Sequence, residues 1–234
     1  MEGTNSPGRV CVFARPPRAG RVKTRLAAAL GDAAALALYR AFLADTLEAA
    51  GRSGAEVVVH LAEAPPPGQA AGREEALSGL PWRLQGEGDL GARMAGAFAA
   101  EAADGVATLA IVGSDLPALR PADLRACLAR AREGAAVLAP TPDGGFWCVA
   151  GPAGLPWAAV FEGVAWSSGG ERVACEARLR ARGVEVAAGP LLRDVDRLED
   201  LLALWEEVRD AGPGLARHTR AAIAADPALR ERFR

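Results

Sequence analysis

The chain has 234 residues, half of them apolar, and its 27 Lys plus Arg against 29 Asp plus Glu leave a formal net charge of −2. A nearly balanced charge excludes a general nucleic-acid binder, two histidines exclude a histidine-rich metal site, and no apolar run reaches the length of a membrane span. The polar start, MEGTNSPG, reads as a disordered tail over residues 1–8 rather than a signal peptide, followed by one domain over 9–234.

Taken in order, Val10–Phe13 is a short apolar run of strand length, broken by Pro16, Pro17 and Gly20 before a helical stretch from Thr24. Asp32 is placed to cap a helix over Ala33–Ala50. Glu56–Leu61 reads as a second strand, Ala64–Gly72 with its prolines as a surface loop, and Trp82–Gln85 as a short third strand. Gly86–Arg93 (GEGDLGAR) leads into a helix through Ala103. Thr108–Val112 is a wholly apolar strand, ended by Gly113-Ser114-Asp115-Leu116-Pro117. Pro121 opens a helix to about Glu133. Ala135–Ala139 and Phe146–Ala150 are strands on either side of PTPDGG. Trp157–Phe161 and Trp166 read as elements packed over the sheet, Glu171–Arg182 as a helix and Val184–Ala187 as a strand. The acid-ended LLRDVD then precedes a helix from Leu198 to Val208, and a last helix follows Gly212-Pro213-Gly214.

Strands alternating with helices predict an α/β, three-layer fold with a mostly parallel central sheet. Ligands of such sheets bind beyond the carboxyl ends of the strands. The informative loops gather there: Arg15–Lys23, Gly113–Pro117, Asp143–Gly145 and Asp194–Asp196. Cys11, Cys127, Cys148 and Cys175 show no paired spacing and read as buried free thiols of a cytoplasmic protein.

The first loop carries Arg15, Arg18, Arg21, Lys23 and Arg25 between a strand and a helix, a setting suited to phosphate. Lys23 is the chain's one lysine against 26 arginines. In a composition that otherwise favours Arg, its survival points to a site that needs a compact ammonium, with chance placement as the bland alternative. Asp115, followed by Leu-Pro at the end of an apolar strand, is a candidate ligand for Mg²⁺ or Mn²⁺, although an Asp in a turn is common. Asp194 and Asp196 lie two apart, on one side of an extended strand. Either can supply a second metal ligand, Asp196 first; Asp196 can also cap the following helix. Asp143, followed by two glycines, can accept hydrogen bonds from an acceptor or deprotonate it, and a DGG is also ordinary turn chemistry. The glycines of GEGDLGARM can hold a base or ribose, or simply start a helix capped by Asp89. Trp166-Ser167-Ser168 can contact a second substrate, or the Trp can be packing. GRVKTRL lacks the spacing of a Walker loop.

FARPPRAGRVKTRL, LQGEGDLGARM, IVGSDLPAL, PTPDGGFW, VFEGVAWSS and DVDRLEDL, in this order over Val10–Leu202, resemble the GT-A-fold bacterial family of arsenosugar-biosynthesis-type glycosyltransferases, of the nucleotide-diphospho-sugar transferase superfamily. The set is also similar to the phospholactate and molybdenum-cofactor guanylyltransferases, which share a first-loop Lys and an Asp-x-Pro after the central strand. The resemblance implies a nucleotide site at Arg15, Gly20, Lys23 and Arg25, a metal at Asp115, and a nucleoside contact near Asp89 with Gly91 beside it. The second metal ligand is Asp196 or Asp194, with Asp196 taken first, and Lys23, Asp115 and Asp143 carry the chemistry.

Expected partners are a nucleotide or nucleotide sugar and a small-molecule acceptor, with the oligomeric state open. Two transfers fit. In glycosyl transfer a nucleoside diphosphate leaves; in nucleotidyl transfer an α-phosphate is attacked and pyrophosphate leaves. Lys23 favours the second. Pro16-Pro17-Arg18-Ala19, standing where a glycine-rich triphosphate cradle would be, favours the first, as does the family's label. Glycosyl transfer is the first expectation, nucleotidyl transfer the second, and a non-catalytic nucleotide-binding protein the third.

Overall fold

The chain folds around one seven-stranded sheet whose strands come from the apolar runs named above. A computed structural model describes residues 8–64 and 77–233; the expected tail, up to residue 7, and the proline loop from residue 65 fall outside the described residues. In chain order the first half comprises β1 (Arg9–Ala14), α1 (Thr24–Leu30), α2 (Asp32–Gly51), β2 (Glu56–Leu61), β3 (Trp82–Leu84), α3 (Leu90–Ala103) and β4 (Thr108–Val112). Then follow α4 (Pro121–Arg132), β5 (Ala136–Pro140), β6 (Phe146–Pro152), α5 (Trp157–Phe161), α6 (Glu171–Arg180), β7 (Val186–Ala187), α7 (Leu198–Val208), α8 (Arg217–Ala225) and α9 (Pro227–Arg232).

The strand order is β3-β2-β1-β4-β6-β5-β7. All pairings are parallel except those of β6, which runs against both β4 and β5. The alternation of side chains along β1 sorts the two faces: Val10 and Val12 pack with α2 and α4, while Cys11 packs with α3. β4 lies between β1 and β6 and is buried at every position, which is why TLAIV runs apolar after Thr108 rather than alternating. A third cluster joins Leu26 and Phe42 to Leu201, Leu204 and Ile223 of the C-terminal helices. Asp45 ties that region to α2 by accepting from the His218 and Thr219 amides at 2.9 Å each. All four cysteines are free and buried.

Three local expectations change. Asp32 is the first residue of α2 rather than its cap, because Gly31, at φ 82°, turns the chain out of α1. Its charge still sits at the helix's positive end. LLRDVD is an irregular extended segment, tied to the sheet through Leu192 N–H to the Pro140 carbonyl at 3.3 Å and Val195 N–H to the Asp115 carbonyl at 3.1 Å. The antiparallel β6 follows from the tight PTPDGG turn, which leaves no room for a crossover to a parallel strand. Because that turn leaves the carboxyl end of β5, it joins the other loops at one edge of the sheet.

Candidate active site

Lys23 sits at the N-cap of α1 with φ 48° and ψ 44°, a left-handed conformation uncommon for a residue with a side chain. Among the described residues only Ser167 and Ala216 share a positive φ without being glycine. Lys23 and Ser167 each line a cavity described below, and strained backbone of this kind concentrates at functional sites. From there Lys23 Nζ reaches Asp115 Oδ2 at 2.5 Å and Asp196 Oδ1 at 3.6 Å. Arg25 Nη1 donates to Asp196 Oδ2 at 2.7 Å. Burial alone would favour loss of the Lys23 proton, but the Asp115, Asp196 and Asp194 carboxylates outweigh it and raise the lysine's pKa.

Asp115 follows β4 directly. Gly113 is needed beside it, since a Cβ there would meet Asp115 Oδ1 at 2.8 Å. Asp194 completes the acid group. Burial, then the charge of Asp115 and, more weakly, that of Asp143, push its carboxyl up to about 6, against the pull of Lys23. Asp196 does not cap α7. Asp200 does that work, accepting from the Asp196 and Arg197 amides at 3.2 and 2.9 Å, and so leaves the Asp196 carboxylate to the cluster. Three carboxylates against one lysine and one arginine form an all-oxygen donor set with excess negative charge. Oxygen donors with excess negative charge are what a hard divalent cation such as Mg²⁺ or Mn²⁺ takes, and here Lys23 and Arg25 occupy the Asp115 and Asp196 oxygens.

The cluster forms a wall shared by two cavities of about 670 and 700 Å³, both lined by Arg25, Gly113, Asp115 and Asp196. The first is also lined by Arg15, Arg21 and Lys23, and by Phe13, Gln85 and Arg93 among its remaining residues. The second takes Asp143, Trp166, Ser168, Arg193, Asp194 and Arg197 among its walls. Asp143 Oδ1 accepts from the Thr141 hydroxyl at 2.5 Å and the Gly145 amide at 3.1 Å. The Thr141 bond, ahead of an opposing burial cost and aided by Gly145, holds the Asp143 carboxyl below its usual range. A carboxylate so stabilised orients a partner better than it takes a proton. Two buried polar atoms of residues lining this cavity, Trp166 Nε1 and Glu171 Oε2, have no hydrogen-bond partner.

Some sequence expectations land elsewhere. Gly20 is a turn residue at φ 69°, where Arg21 N–H bonds the Arg18 carbonyl, and it lines neither cavity. Asp89 uses its carboxylate to cap α3, accepting from the Ala92 amide at 2.8 Å. Gly91 is buried, and a Cβ there would meet Trp166 at 2.7 Å and Phe161 at 2.9 Å, so this glycine serves helix packing rather than a nucleoside. The neighbours Leu90 and Arg93 line the first cavity instead. The space left by Gly144 is filled by protein, since a Cβ there would meet the Gly169 carbonyl oxygen at 2.1 Å. The residues that sequence reasoning passed over are Gln85, Arg93 and Arg193. The signal for Gln85 was its place at the carboxyl end of a strand.

Among the described residues the side chains whose potential metal-ligand atoms all lie within 4.8 Å of one another are Cys11, His60 and Glu101, buried on β1, β2 and α3. The carboxylate of this group is already committed: Glu101 pairs with Arg9, accepts from His60 Nε2 at 3.2 Å, and lies 3.6 Å from Arg83 Nε. This is an ion-pair network rather than an open ligand set. No helix among the described residues is long and apolar enough to cross a membrane.

Residues 46–168 match a bacterial protein family described as "Uncharacterized protein conserved in bacteria (DUF2064)". The chain is 34% identical over 184 residues to a 3-phospho-D-glycerate guanylyltransferase of Phenylobacterium zucineum, covering 76% of this chain and 81% of that one. A solved structure from Desulfovibrio desulfuricans G20, provisionally assigned as a nucleotide-diphospho-sugar transferase, superposes with a TM-score of 0.87 at 25% identity over 97% of this chain and 98% of that one. A cytidylyltransferase from Leptospira borgpetersenii shares the fold, with a TM-score of 0.57 at 15% identity over 96% of each chain.

Proposed function

As the chain belongs to the bacterial DUF2064 family and is a transferase, we propose that it is a nucleotidyltransferase that moves the guanylyl group of GTP to a small phosphorylated acid, with 3-phospho-D-glycerate the first candidate. The observation that carries this reading is the chemistry of the second cavity. Its walls set Arg25, Arg193 and Arg197 among six carboxylates, so the arginines are the groups that would take an anionic acceptor, while Asp143 is held ionised and is a poor base. A sugar hydroxyl needs a base to become a good nucleophile; a phosphate oxygen already carries the charge it attacks with.

In this reading the triphosphate lies along Arg15, Arg21 and Lys23 in the first cavity. An oxygen of the acceptor's phosphate, held by the arginines of the second cavity, attacks the α-phosphorus. A bond forms between them, the bond from the α-phosphorus to its bridging oxygen breaks, and pyrophosphate leaves without a proton transfer. Lys23 places a fixed charge against the phosphates, and Arg25 holds Asp196 in position. Asp115 and Asp196 are the residues that would hold Mg²⁺ or Mn²⁺, which neutralises phosphate charge when bound. The four buried thiols suit a reducing cytoplasm.

Glycosyl transfer from a nucleotide sugar is the second reading. Pro16, Pro17, Arg18 and Ala19 favour it, because they leave no glycine-rich cradle for a triphosphate. The two separate on one experiment. Nucleoside triphosphates and nucleotide sugars are each offered with Mg²⁺ and with phosphorylated or unphosphorylated acceptors, and pyrophosphate and nucleoside diphosphate are measured. Pyrophosphate release that requires a phosphorylated acceptor is the expected result. Diphosphate release from a nucleotide sugar, with no pyrophosphate from any triphosphate, overturns the proposal.

A further inference from the structure

The Gln85 amide is locked in one orientation. Its Nε2 donates to the His60 carbonyl at 2.7 Å and approaches the Ala14 carbonyl at 3.5 Å. Turning the amide over would set its oxygen against two carbonyl oxygens, so the network fixes which end is which. Both amide hydrogens face the sheet's carboxyl edge, and the group left for a ligand in the first cavity is the acceptor Oε1. The lock is itself supported. The backbone of Gln85 donates to the Leu61 carbonyl at 2.8 Å. His60, which supplies the main carbonyl, is stacked on Phe13 with ring centroids 5.5 Å apart and is hydrogen-bonded to the buried Glu101.

Arg93 lines the same cavity and offers the opposite chemistry. Its Nε donates to the Gly88 carbonyl at 2.9 Å, which orients the guanidinium and leaves both Nη groups without a partner among the described residues. Phe13 and Leu90, which line the same cavity, add the apolar surface that a flat ring requires.

We propose that Gln85 and Arg93 read the nucleobase, and that the fixed acceptor of Gln85 selects guanine. Guanine presents two adjacent donors, N1–H and the N2 amino group, beside the acceptors O6 and N7. An acceptor from Gln85 meets the first pair, and an arginine meets the second. Adenine places the unprotonated N1 where guanine has N1–H, setting two lone pairs against each other. Cytosine repeats that conflict at N3, and uracil offers a single donor between two carbonyls. The inference deepens the GTP reading above and rests on it for the placement of the nucleotide. It reaches the same base from the geometry of this chain's own residues.

The test is nucleotide binding, which reads the base whatever reaction follows. Mg²⁺ complexes of GDP, IDP and ADP are titrated by calorimetry into the wild-type chain, Gln85→Leu and Arg93→Ala. IDP lacks only the N2 amino group. The wild type is expected to bind GDP roughly tenfold tighter than IDP and more tightly still than ADP. In Gln85→Leu the GDP-to-IDP ratio falls to near one, because GDP loses both of its contacts to Oε1 and IDP, which keeps only N1–H, weakens less. In Arg93→Ala both guanine-type nucleotides weaken together. Equal binding of GDP and IDP by the wild type, tighter binding of ADP, or an unchanged ratio in folded Gln85→Leu would overturn the proposal. The wild-type arm needs no variant to fold. Guanine selectivity in binding without pyrophosphate release would defeat the nucleotidyl reading and leave this one standing.

Discussion

Two groups of charged side chains lie against the same sheet, one around Glu101 on α3 and one around Asp115 beyond the end of β4. Glu101 is fully buried, and both of its oxygens face cations or the His60 ring: Arg9, Arg83 and His60 close around one carboxylate. At the carboxyl end of β4 the proportions reverse. Asp115, Asp194 and Asp196 outnumber Lys23 and Arg25, cavities open on both sides, and Asp194 retains its proton up to about 6. The first group has spent its interactions on the fold. The second keeps charge and lone pairs in reserve, which is what binding a cation and a polyphosphate requires. The presence of buried or paired charge therefore does not mark a site; an imbalance left facing a cavity does.

The strongest way to break this contrast is to neutralise one member of each group. Asp115→Asn is expected to lower turnover on the order of a thousandfold while the thermal unfolding curve stays close to wild type, because the acid group's role is chemical. Full turnover in excess chelator would count equally against it. Glu101→Ala is expected to do the reverse. Leaving Arg9 and His60 without their buried partner costs about 3 kcal/mol of stability in a urea titration, with activity per folded molecule largely kept. If Glu101→Ala removed turnover at unchanged stability, the two groups would have been assigned the wrong way round.

Much of this arrangement is written in the sequence, and what is not has particular causes. The strands Glu56–Leu61 and Thr108–Val112 fall where the apolar runs put them, because burial on both faces leaves little choice of residue. The loops bearing Lys23, Asp115, Asp143 and Asp196 meet at one edge because parallel strands share a carboxyl end. Two assignments turned on competition that only packing resolves. Asp196 and Asp200 are both placed to cap α7, and the chain uses Asp200. Gly91 reads like a ligand-facing glycine and instead clears space for Phe161 and Trp166, which are 70 or more residues away. Gln85 was overlooked because its meaning depends on the carbonyls of two other strands.

A smaller effect sharpens the reading of Lys23. Lys23→Ala removes a charge-assisted hydrogen bond and should cost ten- to a hundredfold in nucleotide affinity. Lys23→Arg keeps the charge, yet the planar guanidinium has little room at a side chain only 7% exposed beside Asp115, so roughly a tenfold loss in kcat/KM is expected in a folded protein. Wild-type kinetics in Lys23→Arg would make the lone lysine an accident of composition.

The smallest effect concerns His60. Burial, against the opposing pull of Glu101, lowers its pKa below the ordinary 6.5. The unfolded chain then takes up a proton that the folded chain resists, so stability is lost as pH falls below about 6.5. Thermal unfolding of His60→Gln between pH 7.5 and 5 should show a shallower decline than wild type. An identical decline would mean that His60 titrates alike in both states.

The central claim is that the α-phosphorus of GTP moves to the acceptor across the Asp115 wall. It is tested most directly by supplying GTP labelled at that phosphorus together with Mg²⁺ and 3-phospho-D-glycerate, and following the label. The account predicts label in a new product joined to the acceptor through a phosphate–phosphate bond, with unlabelled pyrophosphate released in equal amount. Label that stays in GTP, while the same preparation transfers the sugar of a nucleotide sugar and releases its nucleoside diphosphate, would contradict it.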